Sequence, residues 1–448
     1  MASDPVATAA TPDGESPAEP RGGVLRNRDF VKLFAGESVS LIGTYITQFT
    51  LPLVAILTLK ATVFEVGVLN AFRVAPVIVV ALFAGVWLDQ TRRRPVLIAC
   101  SLSCAVLIGL VPLASATHHL SMGLLYVVAA LVGGLNVVFD VGALSFVPNL
   151  VERRHLLEAN GKMQATRAFA GISGPSLAGL LIGVFSAPIT LSADAVSYLF
   201  SAIGLISIRK REPAPKAPEV RTSIRRQIAE GFTAVYGSKL LRALLTQSAA
   251  LNLAYGAFGT IFVVYAIRVL GLTPFKLGLV VGSAAVGALA GALLAGRVRD
   301  GLGLGRSMIY CTIGVSMTPL LLLIPRGASL GAMAILMGSQ LVYGANISYL
   351  NVNAITLRQV VTPRRLLARM NATYRMLLFG VPPVGAMIGG LLGSAVGLRT
   401  ALVVALIAML SPMLWIIFSP VFRLTEMPSA PDEDLVAEAG LQAGKKDD

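Results

Sequence analysis

Long apolar runs, separated by short polar intervals, recur along almost the whole chain. Each is long enough to cross the ~30 Å hydrocarbon core of a bilayer as a helix. They centre on residues 33–59, 63–88, 95–116, 121–147, 159–186 and 188–208. After a polar interval they resume at 241–268, 274–297, 306–325, 330–357, 368–395 and 398–420. The pattern predicts twelve membrane-spanning helices, six on each side of the interval. The strict alternation and close-set turns of a transmembrane barrel are absent. The expected fold class is therefore an all-α polytopic membrane protein. Its expected organisation is a disordered tail over 1–25, a six-helix bundle over 26–208, a linker over 209–240, a second six-helix bundle over 241–422 and a tail over 423–448. Within the linker, Ile224, Ile228, Phe232 and Val235 repeat at helical spacing, which predicts a short amphipathic helix lying on the membrane surface.

Composition sharpens this picture. Of 448 residues, 55% are hydrophobic and 13% charged, where a soluble domain carries about 25% charged residues. The polar coat of a water-soluble protein is missing. The balance of 37 basic against 23 acidic residues, a net +14, would suggest nucleic acid in a soluble chain. Placement decides otherwise. With the N-terminus inside, 29 Lys and Arg fall on cytoplasmic segments, five on outside loops and three (Arg73, Arg167 and Arg375) within spans. That asymmetry orients a membrane protein, so both termini are expected in the cytoplasm, in a bacterial-type cell membrane. No nucleic-acid partner is needed to explain the charge. Cys100, Cys104 and Cys311 lie in apolar runs without a CxxC pair and read as small hydrophobes. The first residues lack the basic start and apolar core of a cleavable signal.

The two halves repeat. At a shift of 211 residues, Ala84, Gly85 and Asp89 fall on Ala295, Gly296 and Asp300, and Arg153 and Arg154 on Arg364 and Arg365. The same shift carries Asn160 to Asn371, Gly174 to Gly385 and Gly179 to Gly390. Apolar matches would mean little here, but charged, Asn and Gly matches at one offset indicate a duplication. Six spans separate the copies, so both cross the membrane in the same direction, an arrangement in which one half can rock against the other.

Two six-helix halves, a basic linker and the segment GVWLDQTRRR after the second span resemble the major facilitator superfamily (MFS) over nearly all of residues 26–422. Several segments resemble its twelve-span drug:proton antiporter branch, which includes macrolide and siderophore exporters. They are FDVGALSFVPNLV (139–151), EANGKMQATRAFAGISGPSLAGLL (158–181), SADAVSYLFSA (192–202) and RMNATYRMLLFGVPPVGAMIGGLLG (369–393). The resemblance implies two pseudo-symmetric bundles and alternating access to a central solute site.

Gly85, Asp89, Arg92, Arg93 and Arg94 match the superfamily's signature loop. The resemblance implies that Asp89 sits at the N-terminus of span eleven when the cytoplasmic side is closed, where the helix dipole favours a negative charge. The basic run also sets topology. Arg92 stands where the family often has glycine, and the second copy keeps only Gly296 and Asp300. Glycines at four-residue spacing mark spans five, eight and eleven: Gly179 and Gly183, Gly287 and Gly291, and Gly385, Gly389 and Gly393. Such residues allow close backbone packing, either between the sliding halves or within each.

Ionisable residues within spans are costly and mark functional sites. Asp140 and Arg167 lie roughly 10 and 12 Å from the cytoplasmic ends of spans four and five, at 1.5 Å per residue, so they are level and can pair. Glu37 enters span one at similar depth and can compete for Arg167. A carboxylate that loses its cation on burial takes up a proton. Asp140, Glu37 and Arg167 are accordingly the candidate proton-coupling group, with a permanent structural salt bridge as the alternative. Asp194 in span six reads as structural. Arg73, at mid-membrane, either lines the cavity and attracts solute or makes a fixed internal bond. The branch often has an acid after the glycine of span one; here Thr44 follows Gly43.

The C-terminal half has no acid within its spans and offers amides instead. Candidate cavity residues are Gln48, Phe49, Arg73, Asn136 and Phe139 from the N-terminal half, and Asn252, Tyr255, Asn346 and Asn351 from the C-terminal half. A wide, mostly apolar lining suits amphipathic solutes. No Walker motif, metal-ligand spacing or enzyme constellation is recognisable, so neither an ATP-driven pump nor an enzyme is expected. No metal or cofactor is expected beyond the proton gradient. The expected partners are the bilayer, a small-molecule substrate and protons, with the protein acting as a monomer. The expectation is proton-coupled efflux by antiport. A nutrient importer on the same fold, by symport or uniport, and a non-transporting membrane sensor are the alternatives.

Overall fold

The computed structural model describes residues 23–210, 212, 232–233, 235–363, 366–419 and 421. Most of the amphipathic segment expected in the linker lies outside them, although Phe232 and Val235 are helical and Val235 is buried. Among the described residues, twelve helices are long and apolar enough to cross a membrane. In the first half these spans are Arg28–Thr58, Val63–Val80, Arg93–Ala116, Met122–Leu150, Leu156–Val184 and Ala187–Ile206. In the second half they are Lys239–Arg268, Pro274–Leu302, Leu304–Leu323, Leu330–Val361, Thr373–Ala395 and Leu398–Ile417. The fold is all α, in two pseudo-symmetric six-helix bundles.

Short polar side chains start these helices by accepting the free backbone N–H groups of the first turn. Asn27 takes those of Asp29 and Phe30 at 3.1 Å. Thr62 and Glu65 form a reciprocal capping box. Ser238 and Thr273 cap the corresponding helices of the second half. Helix bounds repeat at the same 211-residue shift as the sequence: Arg28 with Lys239, Val63 with Pro274, Leu156 with Leu367 and Ala187 with Leu398. Proline interrupts span two. Its helix runs over Val63–Val74 and restarts at Pro76 after Ala75, continuing to Asp89, since proline offers no N–H to the preceding turn.

Within the first bundle, span six packs on spans one and three; in the second, span seven packs on span eleven and span eight on span ten. The bundles meet through two equivalent seams, span two against span eleven and span five against span eight. Each seam depends on glycine. A Cβ on Gly67 would stand 2.6 Å from the Ala386 carbonyl oxygen, and its equivalent Gly278 lies directly against the Pro175 carbonyl. Gly390 faces Phe64 while Gly179 faces Phe275, again 211 residues apart. The glycine rows therefore divide between two roles. Gly179, Gly390 and Gly393 lie between the halves, whereas Gly287 and Gly291 fit span ten, and Gly385 and Gly389 fit span seven, inside the second half.

The first described helix begins, and the last ends, on the same side of the bilayer, here called the terminal face. Contacts between the halves cluster towards the opposite face. They include Val63 with Gly393, Gly67 with Ala386, Asn70 with Thr260 at 3.3 Å, and Arg268 donating to the Ala61 carbonyl at 2.5 Å. Towards the terminal face, no hydrogen bond or glycine contact joins the halves among the described residues. The halves are closed on the opposite face and open on the terminal one.

Candidate functional site

A cavity of about 290 Å³ lies within the first half, between spans one, two, three, four and six. Its polar lining consists of Thr44, Thr47 and Gln48 from span one, Arg73 from span two, Asn136 and Asp140 from span four, and Tyr198 from span six. Phe379 of span eleven reaches it from the other half. A recess of about 130 Å³ adjoins it, shares Thr44, Gln48, Asn136, Asp140 and Tyr198 with it, and adds Glu37, Phe139 and Arg167. The recess is the more polar end; the cavity proper is walled by Leu51, Val74, Val77, Ile108 and Val132.

Asp140 and Arg167 meet across spans four and five, with the guanidinium Nη2 at 3.5 Å from the carboxylate Oδ1. Both side chains remain partly exposed, at 54% and 42%, so a long contact of this kind is screened and readily broken. Glu37 differs. It is buried, at 4% exposure, and its Oε2 has no hydrogen-bond partner among the described residues. Both acids thus line one recess with Arg167, Asp140 paired to it and partly exposed, Glu37 shielded.

Behind the recess lies a hydrogen-bonded wall. Tyr198 donates to the Asn136 side-chain oxygen at 3.0 Å, and its hydroxyl lies 3.3 Å from that of Thr44. Asp194 is fully buried; its Oδ1 accepts from Ser197 at 2.9 Å while Oδ2 has no partner among the described residues. Gly43 makes this approach possible, since a Cβ there would collide with both Asp194 and Ser197. Thr44, Thr47 and Tyr198 were not anticipated as lining residues. Single hydroxyls in an apolar run carry no signal of which face they occupy.

Other expected residues lie elsewhere. Phe49 is buried in the hydrophobic core and lines neither space, because it sits on the packed side of span one. Asn346 packs against Gly314 of span nine and donates to its own helix at the Val342 carbonyl. Asn252 likewise donates to the Ser248 carbonyl, one turn back. A serviceable backbone acceptor one turn away absorbs such amides. Tyr255 is exposed and stacks on Tyr343 at 5.5 Å, and Asn351 is exposed on span ten. Neither contributes to the two spaces in the first half.

Of the signature loop, the side chains of Gly85 and Asp89 lie outside those described. Arg92 is exposed. Arg94 donates to the Leu205 and Ile206 carbonyls at 2.9 and 2.7 Å, satisfying the C-terminal end of span six. The backbone N–H groups of Arg93 and Arg94 in turn donate to Glu212, at 2.9 and 3.1 Å, at the start of span three. In the second copy Asp300 pairs with its neighbour Arg299 at 3.1 Å.

The chain matches the Major Facilitator Superfamily over residues 33–378. It belongs to that superfamily. Among MFS relatives, it is 26% identical over 249 residues to the uncharacterized MFS-type transporter y4rN of Sinorhizobium fredii, covering 55% of this chain and 60% of that protein. It is 21% identical over 350 residues to the enterobactin exporter EntS of Salmonella choleraesuis, covering 77% and 81%. A bacterial homologue of the iron transporter ferroportin in its inward-facing state shares the MFS fold, with TM-score 0.68, 18% identity, and 88% and 99% coverage. The outward-facing state of such a homologue gives TM-score 0.54 at 16% identity, with 87% and 98% coverage. The protein is thus a multi-pass membrane transporter of the MFS fold.

Proposed function

We infer that this MFS protein exports an amphipathic small organic molecule in exchange for protons. One observation carries the reading: Glu37, Asp140 and Arg167 converge in a polar recess continuous with an apolar-walled cavity. The excess of Lys and Arg on terminal-face segments makes that face cytoplasmic, so the open cavity takes solute from inside the cell. The likeness to enterobactin exporters supports the outward direction and an organic solute.

The cycle follows from charge pairing. With the cytoplasmic side open, the partly wetted Arg167 holds Asp140 and faces Glu37. Rocking of the halves along the glycine seams closes that side and draws Arg167 away from one acid. A shielded carboxylate without a cation is costly, and a proton arriving from outside neutralises it. Return to the cytoplasm restores the arginine and expels the proton. In the closed state Asp89 docks at the start of span eleven and latches the two halves.

A deletion strain tested against a panel of amphipathic toxic compounds identifies solutes, which are expected to become more toxic when the gene is absent. In inverted vesicles energised by a proton gradient, adding such a solute should then release protons from the lumen. Proton uptake into the lumen together with the solute would instead mark symport. Full proton release by Glu37→Gln and Asp140→Asn proteins would end the assigned coupling role.

A further inference from the structure

Arg73 is the charged group of the cavity that the coupling scheme leaves unused. It stands ten residues into span two from Val63, roughly 15 Å at 1.5 Å per residue, about the middle of the bilayer. Among the described residues it has no ion pair and no hydrogen bond, and its Nε is buried without a partner. Its own backbone is fixed: the Arg73 carbonyl lies against Gly133 of span four, where any larger residue would collide. The fixed internal bond that would make it structural is therefore missing. Asp140, the acid lining the same cavity, already has Arg167 at 3.5 Å. An unpaired guanidinium at this depth is costly, and its planar fork of donors matches a carboxylate, phosphate or sulfonate in two-pronged fashion. Around it, Val74, Val77, Ile108, Val132 and Phe379 supply apolar walls.

We propose that Arg73 is the anion-binding residue of the cavity, and that the solute is an amphipath carrying an acidic group. Arg73 holds that group at mid-membrane while the apolar body fills the space towards Phe379. The proposal rests on the transporter reading above and adds the charge of its solute.

A matched pair of probes tests it. 8-Anilinonaphthalene-1-sulfonate carries a sulfonate; N-phenyl-1-naphthylamine has the same aromatic body without it. Binding of each to the full chain in phosphatidylcholine nanodiscs is compared with empty discs. Arg73→Gln should weaken the sulfonate probe about tenfold or more, the loss typical of a charge-assisted hydrogen bond, with the neutral probe changed less than twofold. Arg73→Lys should fall between. In the unmodified protein, which needs no variant to fold, the sulfonate probe should slow phenylglyoxal modification of Arg73, read by peptide mass spectrometry, and the neutral probe should not. Equal protection by both probes, or sulfonate binding indifferent to Arg73→Gln, overturns the anion site while leaving the cavity intact as a solute site. Absence of specific binding by either probe overturns both.

Discussion

The two halves of this transporter share a scaffold but not a chemistry. Gly133 of span four admits the backbone of Arg73, and 211 residues later Gly344 of span ten admits the backbone of Ala284 in the same crossing. Gly67 and Gly278 do the same for the seams between the halves. At the ionisable positions the copies diverge. Glu37, Arg73, Asp140, Arg167 and Asp194 correspond to Ser248, Ala284, Asn351, Leu378 and Ala405. Backbone approach is demanded in both copies because both pack helix on helix at the same crossings. A charged group in a membrane is expensive wherever it stands, so one set suffices and the duplicate is neutral. The first half thus carries the charges that line the two described spaces, and the second contributes Phe379 to their wall.

The largest effect should strike both halves alike. Gly133→Val and Gly344→Val each force side-chain atoms into a facing backbone, an overpacking cost of about 3 kcal/mol or more. Both proteins should lose the single symmetric peak on size-exclusion chromatography, and a well-folded variant of either would break the idea of a shared scaffold. Next come the acids. Asp140→Asn should lower proton-coupled transport at least tenfold, the loss of a group needed in every cycle, whereas Asn351→Ala at the equivalent position should stay within twofold. Equal losses would place chemistry in both halves.

Smaller effects sharpen the comparison. Thermal unfolding in a double-mutant cycle on Asp140 and Arg167 should give a coupling of about 0.2–1 kcal/mol, the range for a partly exposed pair. A much larger value would mark a permanent brace rather than a switch. Asp300→Asn should be nearly silent in transport, since Asp300 touches only its neighbour Arg299 among the described residues. Asp89→Asn should slow transport severalfold if the latch belongs to the first copy.

Much of the fold was legible in the sequence because the bilayer imposes a length and a polarity on each helix. The spans expected from hydropathy recur in the structure, as does the 211-residue repeat in helix bounds. The site was legible in part. Asp140 and Arg167 could be paired because helix rise converts residue number into depth, and Glu37 and Arg73 stood out as costly charges. Phe49 sits in the packed core because depth says nothing of azimuth: around a helix that is apolar on every side, no polar stripe marks the cavity face. The place of Tyr198 and Thr44 on the cavity wall is hidden in the sequence for the same reason.

The amino-acid sequence alone thus determined the number of spans, the duplication and the depth of each charge, all of which follow from chain length and the cost of polarity in lipid. Tertiary structure alone decided which charges meet, which glycines lie between the halves rather than within one, and that Arg73 lacks an internal partner among the described residues. Those depend on helix rotation and on the approach of residues more than a hundred positions apart, which hydrophobic periodicity does not encode.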